Sequence, residues 1–247
     1  MDSASDGRVP RPDRLTASEL LRAGELCRAR LKASGVAVDQ EFFGADIGDV
    51  AAKLGKPFLT RQLDLAHNDF TAARHYWTTL RVAEGAKNEG ELVGLSGGRV
   101  DDIARGEFVP FLRNQMRRLF AADGGEVLAS QVFPPEFAQI SGSVAYLGDF
   151  YVAPEVRGAK FDKAAYTLLL YIQAMIEWRF DWLYLFVTRD HAEKDYFARY
   201  CIPTSYPAAM LWTDPPPERD DSNYIGLLSR ASFTWILRRF LARPDLF

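Results

Sequence analysis

Asp149-Phe150-Tyr151-Val152-Ala153-Pro154-Glu155-Val156-Arg157-Gly158 is the stretch on which the reading of this chain turns. It reads as a short buried strand that stops at a proline and turns through Arg-Gly into a long apolar helix beginning near Asp162. Such a turn is a place for anions. The first amides of a helix lack intrahelical partners and carry the positive end of its dipole, so a strand that delivers the chain there through a glycine can hold phosphate.

The elements around it alternate between strand and helix. After Gly158 the polar residues Asp162, Lys163, Thr167, Gln173 and Glu177 fall on one arc, which predicts a helix lying on a sheet with a narrow wet face. An apolar strand follows at Trp182 to Thr188, then a helix from about Asp190 to Tyr200 and a short strand at Ala208 to Trp212. Asp214-Pro215-Pro216-Pro217 begins a polar loop to Asn223, and Ile225 to Leu241 predicts a terminal helix. On the N-terminal side, Phe137 to Val152 predicts one or two strands interrupted at Gly142, and Phe108 to Phe120 a helix. Trp77 to Glu84 and Glu91 to Val100 predict a hairpin joined by residues 85–90. Asp46 to Leu54 and Asp69 to Tyr76 predict short helices. Thr16 to Lys32 predicts a longer one, with Thr16 and Glu19 fitting a capping box and Leu20, Gly24, Cys27 and Leu31 on one face. The order predicts an α/β fold with a mixed sheet. Three regions are expected: a mobile arm at 1–14, an N-terminal helical extension at 15–65, and a main domain at 66–247 with a C-terminal helix.

The chain has 247 residues, 48% hydrophobic and 26% charged, enough for a substantial core. A net charge of −3 provides no global basic field for nucleic acid or anionic membrane. The longest apolar run, Ala164 to Trp178, is too short and too polar to span a bilayer, and the first residues lack the pattern of a secretory signal. Cys27 and Cys201 form neither a disulfide framework nor a metal spacing, so a reduced, cytoplasmic protein is expected. His67 and His75 have no third ligand at a convincing spacing, and no metal is expected. Gly94-Leu95-Ser96-Gly97-Gly98 satisfies the G-x-S-x-G pattern of a nucleophile elbow, with Asp149 and His191 following in chain order. The residues after it continue as strand and loop rather than helix, which argues against a hydrolase.

The opening decapeptide resembles the core motif of the GNAT acyltransferase superfamily, roughly D-Φ-Y-V-x-P-E-x-R-G followed by a helix, where Φ is apolar. The resemblance covers about residues 75–213 and implies a GNAT-like fold, an α/β domain with a mixed, mostly antiparallel sheet flanked by helices. It also implies that Tyr151, Val152, Arg157, Gly158, Ala159, Lys160 and Phe161 hold the pantetheine and pyrophosphate of acetyl-CoA or another acyl-CoA. Lys160 stands where the family has a small residue, either as a compensating charge on phosphate or as the mark of a decayed site. The family's second element, N-x-x-A-x-x-x-Y-x-x-x-G-F, is matched loosely by Asp190 to Ile202. Cys201-Ile202 replaces Gly-Phe there, Phe197 stands nearest the family tyrosine, and Tyr196 and Tyr200 flank it.

By that resemblance Tyr196 or Tyr200 protonates the departing thiolate, and Asp149 accepts the amine proton directly or through a water. Trp77, Arg81 and Arg99 on the hairpin would border the acceptor pocket. The implied activity is transfer of an acetyl or other acyl group from coenzyme A to a small-molecule or protein amine, by direct attack in a ternary complex. Two alternatives stay open: a GNAT-fold binding or scaffold protein without turnover, and a long-chain acyl transferase using an acyl carrier protein. A homodimer is also left open.

Overall fold

The computed structural model describes residues 14–42, 47–120, 127–129, 133–158, 160–212 and 222–247. Within these an eight-stranded sheet runs in the spatial order β1 (Val36–Phe42), β2 (His75–Val82), β3 (Leu92–Ile103), β5 (Gly142–Val152), β6 (Trp182–Thr188), β8 (Ser222–Ser229), β7 (Thr204–Trp212) and β4 (Val127–Ala129). Every neighbouring pair is antiparallel except β5 with β6. The sheet is therefore mixed, as the element order predicts, and mostly antiparallel, as the resemblance implies.

One face is covered by α1 (Ala17–Ala33), α4 (Lys163–Trp178) and α7 (Arg230–Ala242), and its core includes Cys27, Leu31, Leu168, Leu169, Phe233 and Leu237. The other is covered by α2 (Ile47–Lys53), α3 (Phe108–Phe120) and the 3-10 turn Pro135–Gln139, around Trp77, Phe108, Leu112, Tyr146 and Tyr184. The capping box at Thr16 and Glu19 is present, and the face of α1 carrying Gly24, Cys27 and Leu31 is buried, with α1 packed along α4.

Several expectations need correction. Val36–Phe42 is a strand in register with β2, so the segment 15–65 supplies a sheet edge as well as helices. Asp69 to Tyr76 is not a helix. The Arg74 amide closes a turn onto the Thr71 carbonyl, and His75 already begins β2 opposite Arg99. Phe137 to Gln139 lies in the 3-10 turn, and the strand begins only at Gly142. Ile225–Ser229 belongs to β8, and the last long helix starts at Arg230, where the Ser229 hydroxyl accepts from the Ser232 amide. The helix expected from Asp190 to Tyr200 is two short pieces, α5 (Arg189–Glu193) and α6 (Tyr196–Arg199), broken at Asp195 with φ +59°. The wet face of α4 is narrower than its sequence suggests. Gln173 is buried against Thr78 of β2, and the Thr167 hydroxyl is turned back onto the Lys163 carbonyl. Gly94-Leu95-Ser96-Gly97-Gly98 lies within β3, with Ser96 buried, which is no nucleophile elbow. Glycine is required at position 97 by close approach, since a Cβ there would stand 2.8 Å from the Trp77 ring. The mobile arm falls almost entirely outside the described residues.

Candidate active site

The central strands part in the middle of the sheet. β5 and β6 pair only through Val144–Trp182, Ala145–Leu183 and Tyr146–Tyr184. β5 nevertheless continues to Val152, held on its other edge by β3, and β6 continues to Thr188, held by β8. Beyond the Tyr146–Tyr184 rung the two strands splay and no longer pair with each other. The Ala153 amide donates to Val93 on the β3 side at 2.7 Å. By strand alternation the Val152 amide points the other way, into the splay.

A bulge sits at the start of this open edge. Gly148 pairs with Gly97 and Tyr151 with Leu95, so Asp149 and Phe150 together oppose Ser96. Asp149 takes φ +56°, a left-handed conformation that aspartate tolerates better than most side chains. Its carboxylate leaves the sheet on the α2 side. Lys56 Nζ lies 2.6 Å from Oδ1, and the Thr60 amide donates to both oxygens at 3.1 Å. The two charged side chains are 7% and 1% exposed. The carboxylate is thus bonded to an ammonium and an amide. It holds the loop after α2 against the bulged strand. Tyr151 contributes from the same side, donating its hydroxyl to the Leu54 carbonyl at 3.1 Å.

Phe150 projects to the opposite face. Tyr200 stacks on it at 5.4 Å between centroids, Tyr166 of α4 meets it edge-on at 6.3 Å, and Tyr196 stands edge-on to Tyr200 at 5.4 Å. Of the two candidate tyrosines, Tyr200 is the one carried to β5. Tyr196 lies further out, against His191 and beneath the Lys163 ammonium. Burial pushes the Tyr200 hydroxyl well above its ordinary pKa, so it keeps its proton.

The phosphate turn differs from expectation at its centre. Asp162 caps α4, accepting from the Ala165 amide at 2.9 Å, and its other oxygen lies 2.6 Å from Arg30 Nε of α1. The Lys163 amide is bonded to Phe161. The positive end of α4 thus already holds a carboxylate from the chain itself. Arg157 folds back to donate to the Val152 carbonyl, with its guanidinium 5.0 Å from the Tyr151 ring centroid. Phe161 is buried against Tyr166 rather than offered to a ligand. Gly158 (φ +140°) and Lys160 are exposed, and Ala159 lies outside the described residues.

The hairpin residues separate. Trp77 and Arg99 are buried on the α3 face. Arg81 pairs with Asp39 of β1 at 3.3 Å, since β1 covers the outer edge of β2. Among the described residues no group of three or more His, Cys, Asp or Glu side chains is placed to hold a metal, and no helix is long and apolar enough to cross a membrane. Lys56, Thr60, Arg30 and Asp162 were not singled out by sequence reasoning as site residues. Asp162 alone had a local signal, as a cap three residues before Ala165.

No protein-family model and no curated protein matches this chain. Solved structures do. An N-acyl amino acid synthase, FeeM, from uncultured soil microbes is 13% identical, with a TM-score of 0.37 over 89% of this chain and 90% of that one. A mutant agmatine N-acetyltransferase in its apo form is 13% identical, with a TM-score of 0.47 over 78% and 99%. Spermidine N-acetyltransferase from Vibrio cholerae, in complex with CoA and spermine, is 11% identical, with a TM-score of 0.36 over 89% and 94%.

Proposed function

We propose that this protein is an N-acyltransferase that takes its acyl group from a pantetheine thioester, acyl-CoA being the simplest donor. The observation that carries this reading is the splay after Tyr146 and Tyr184, which leaves the β5 edge unpaired on one side beside the start of α4. A pantetheine arm can pair with that edge as an added strand would. The Val152 amide, pointing into the splay, orients the thioester carbonyl and stabilises the oxyanion that develops there. The amine nitrogen bonds to the carbonyl carbon and the carbon–sulfur bond breaks. Tyr200 gives its proton to sulfur and recovers the one the nitrogen sheds. Lys56 and Asp149 hold the bulge that aims this part of the strand.

A second reading of the donor is favoured by the Asp162–Arg30 pair. With a carboxylate already at the head of α4, a diphosphate gains little from that turn. A phosphopantetheine arm borne on an acyl carrier protein presents none. Acyl transfer to a panel of amines, followed by thiol release, tests both readings. Turnover with acyl-CoA supports the first. Turnover with carrier-bound acyl groups alone supports the second. Binding without turnover from any donor leaves a scaffold protein. Asp162→Ser keeps the cap and removes the charge, and it should tighten CoA binding if the carboxylate is what excludes diphosphate.

A further inference from the structure

The α3 face of the sheet buries more hydrogen-bond donors than it satisfies. Arg99 of β3 is fully buried, between His75 of β2 and Tyr146 of β5 in the sheet register. A guanidinium has five N–H groups in a fixed plane. Here Nη2 reaches the Tyr184 hydroxyl at 3.3 Å, while Nε lies 3.3 Å from Asp101 Oδ2 without a hydrogen-bonding angle, and Nη1 has no partner. The buried Trp77 Nε1 is also unpartnered. The guanidinium is walled by the rings of Phe70, Phe111 and Tyr146, at 5.7–5.8 Å from their centroids. Burial raises the pKa of Asp101, against the lowering effect of the Arg99 charge beside it. A buried arginine left in this state is costly unless something completes it.

Its position says what that would be. Arg99 bonds Tyr184 and lies over the Tyr146 ring, and these two tyrosines form the last rung before the splay. The Tyr146 hydroxyl in turn touches Gly148, where a Cβ would come within 2.6 Å of it. One tyrosine ring therefore spans from the guanidinium to the edge where the thioester would lie. Phe70, half-buried and stacked on His75 at 4.9 Å, stands beside the guanidinium.

We propose that Arg99 receives a carboxylate of the acceptor, so that the substrate acylated at the splay is an amino acid or another amino-carboxylate. This rests on the N-acyltransferase reading above. A carboxylate accepts two parallel bonds from a guanidinium, and Trp77 Nε1 is a further donor on the same face. Phe70 is the ring that swings aside to admit it.

Matched acceptor pairs test the proposal: phenylalanine with phenethylamine, leucine with 3-methylbutylamine, lysine with cadaverine, each with the donor that supports turnover. The wild type should favour the amino acid of each pair by roughly 10- to 100-fold in kcat/KM, the range of a charge-assisted bond. Arg99→Met should cost the amino acids more than their matched amines in kcat/KM, while Arg99→Lys restores part of the difference. Should Arg99→Met fail to fold, the wild-type preference decides the matter, together with Phe70→Ala, which should alter amino-acid KM at an unchanged melting temperature. Equal use of both members of each pair, or equal losses for both in Arg99→Met, overturns the proposal while leaving the acyltransferase reading intact. Absence of transfer to any amine from any donor removes that reading and this one with it.

Discussion

The two faces of the sheet are built differently. On the α1, α4 and α7 side, several buried hydroxyls are answered by backbone, Tyr76 donating to Leu170, Tyr171 to Tyr200, Thr167 to Lys163 and Thr234 to Arg230, while the Tyr166 hydroxyl and Gln173 Nε2 have no partner. The space between is filled by leucine, isoleucine and phenylalanine. On the α2 and α3 side, Arg99 and Trp77 keep donors unpaired, Gln62 keeps an acceptor unpaired, and the Lys56–Asp149 pair is sealed in. Burying polar groups in this way lowers stability relative to apolar packing of the same volume. The first face is packed mainly by apolar side chains, and the second holds the buried charges. The contrast makes predictions, because damage to the first face should be large and simple, whereas changes to the second should be smaller and sometimes favourable.

The largest effect is expected from a chain that begins at Phe58. It lacks α1, whose Cys27 and Leu31 are fully buried, and β1, which covers the edge of β2. Exposing that apolar strip together with an unpaired strand edge should give aggregates rather than a monomer. Size-exclusion chromatography and a thermal melt decide it. A soluble monomer with a cooperative transition would mean that the α1 face is dispensable and the comparison is wrong.

Asp149→Asn comes next. Removing one partner of a buried ion pair leaves the Lys56 ammonium uncompensated, a loss of about 3–5 kcal/mol. Combining it with Lys56→Met should recover much of that, since no charge is then left buried. Chemical denaturation of the two single variants and the double variant measures the coupling. Simple additivity would show that the two side chains do not act as a pair.

A pH dependence of stability should come from His75 on the same face. Burial, with the Arg99 charge beside it, lowers its pKa from 6.5 to about 4. Between those values the unfolded chain binds the proton and the folded one does not. Stability should therefore fall as pH drops from 6.5 towards 4, by about 3 kcal/mol in all, and this contribution should be flat on either side. His75→Phe removes the dependence. The quantity to measure is the difference between wild type and variant across this range, which cancels the carboxylates common to both. A difference that does not change with pH would place His75 in a wetter setting than the structure shows.

What the sequence disclosed and what it hid divide along similar lines. The capping box of α1, the helices α3 and α4, strand β6 and the turn at Pro154 and Gly158 are written in adjacent residues, and they were legible. β1 was not, because Val36 to Phe42 becomes a strand only by lying against β2, about 40 residues away in the chain. β8 was overlooked because its apolar residues run on in phase with α7. The Ser229 cap was a local signal that could have divided them. At the site, Asp149 was noticed, but its partners Lys56 and Thr60 are separated from it by 93 and 89 positions. No spacing rule reaches so far. The same holds for Arg30 on Asp162, 132 positions apart, which changes the meaning of a turn that reads from sequence as an open anion site.

The smallest effect expected on the α3 face is also opposite in sign. Gln62 is fully buried, its Oε1 has no partner, and its amide makes only a weak contact with the Met116 sulfur at 3.7 Å. Gln62→Met keeps the length and flexibility of the side chain while removing an acceptor that gains nothing from burial. Exchanging a polar group that is not satisfied for an apolar one of similar shape should be neutral or stabilising, by up to about 1 kcal/mol. The same logic applied to the other face predicts the reverse. Leu168→Gln, which buries a new unsatisfied amide among apolar neighbours, should cost several times as much. Melting both variants alongside the wild type compares the two faces directly. A clear loss in Gln62→Met, of 2 kcal/mol or more on the scale of an orphaned buried group, would mean that Gln62 is satisfied in solution and that this face is better paired than its structure shows.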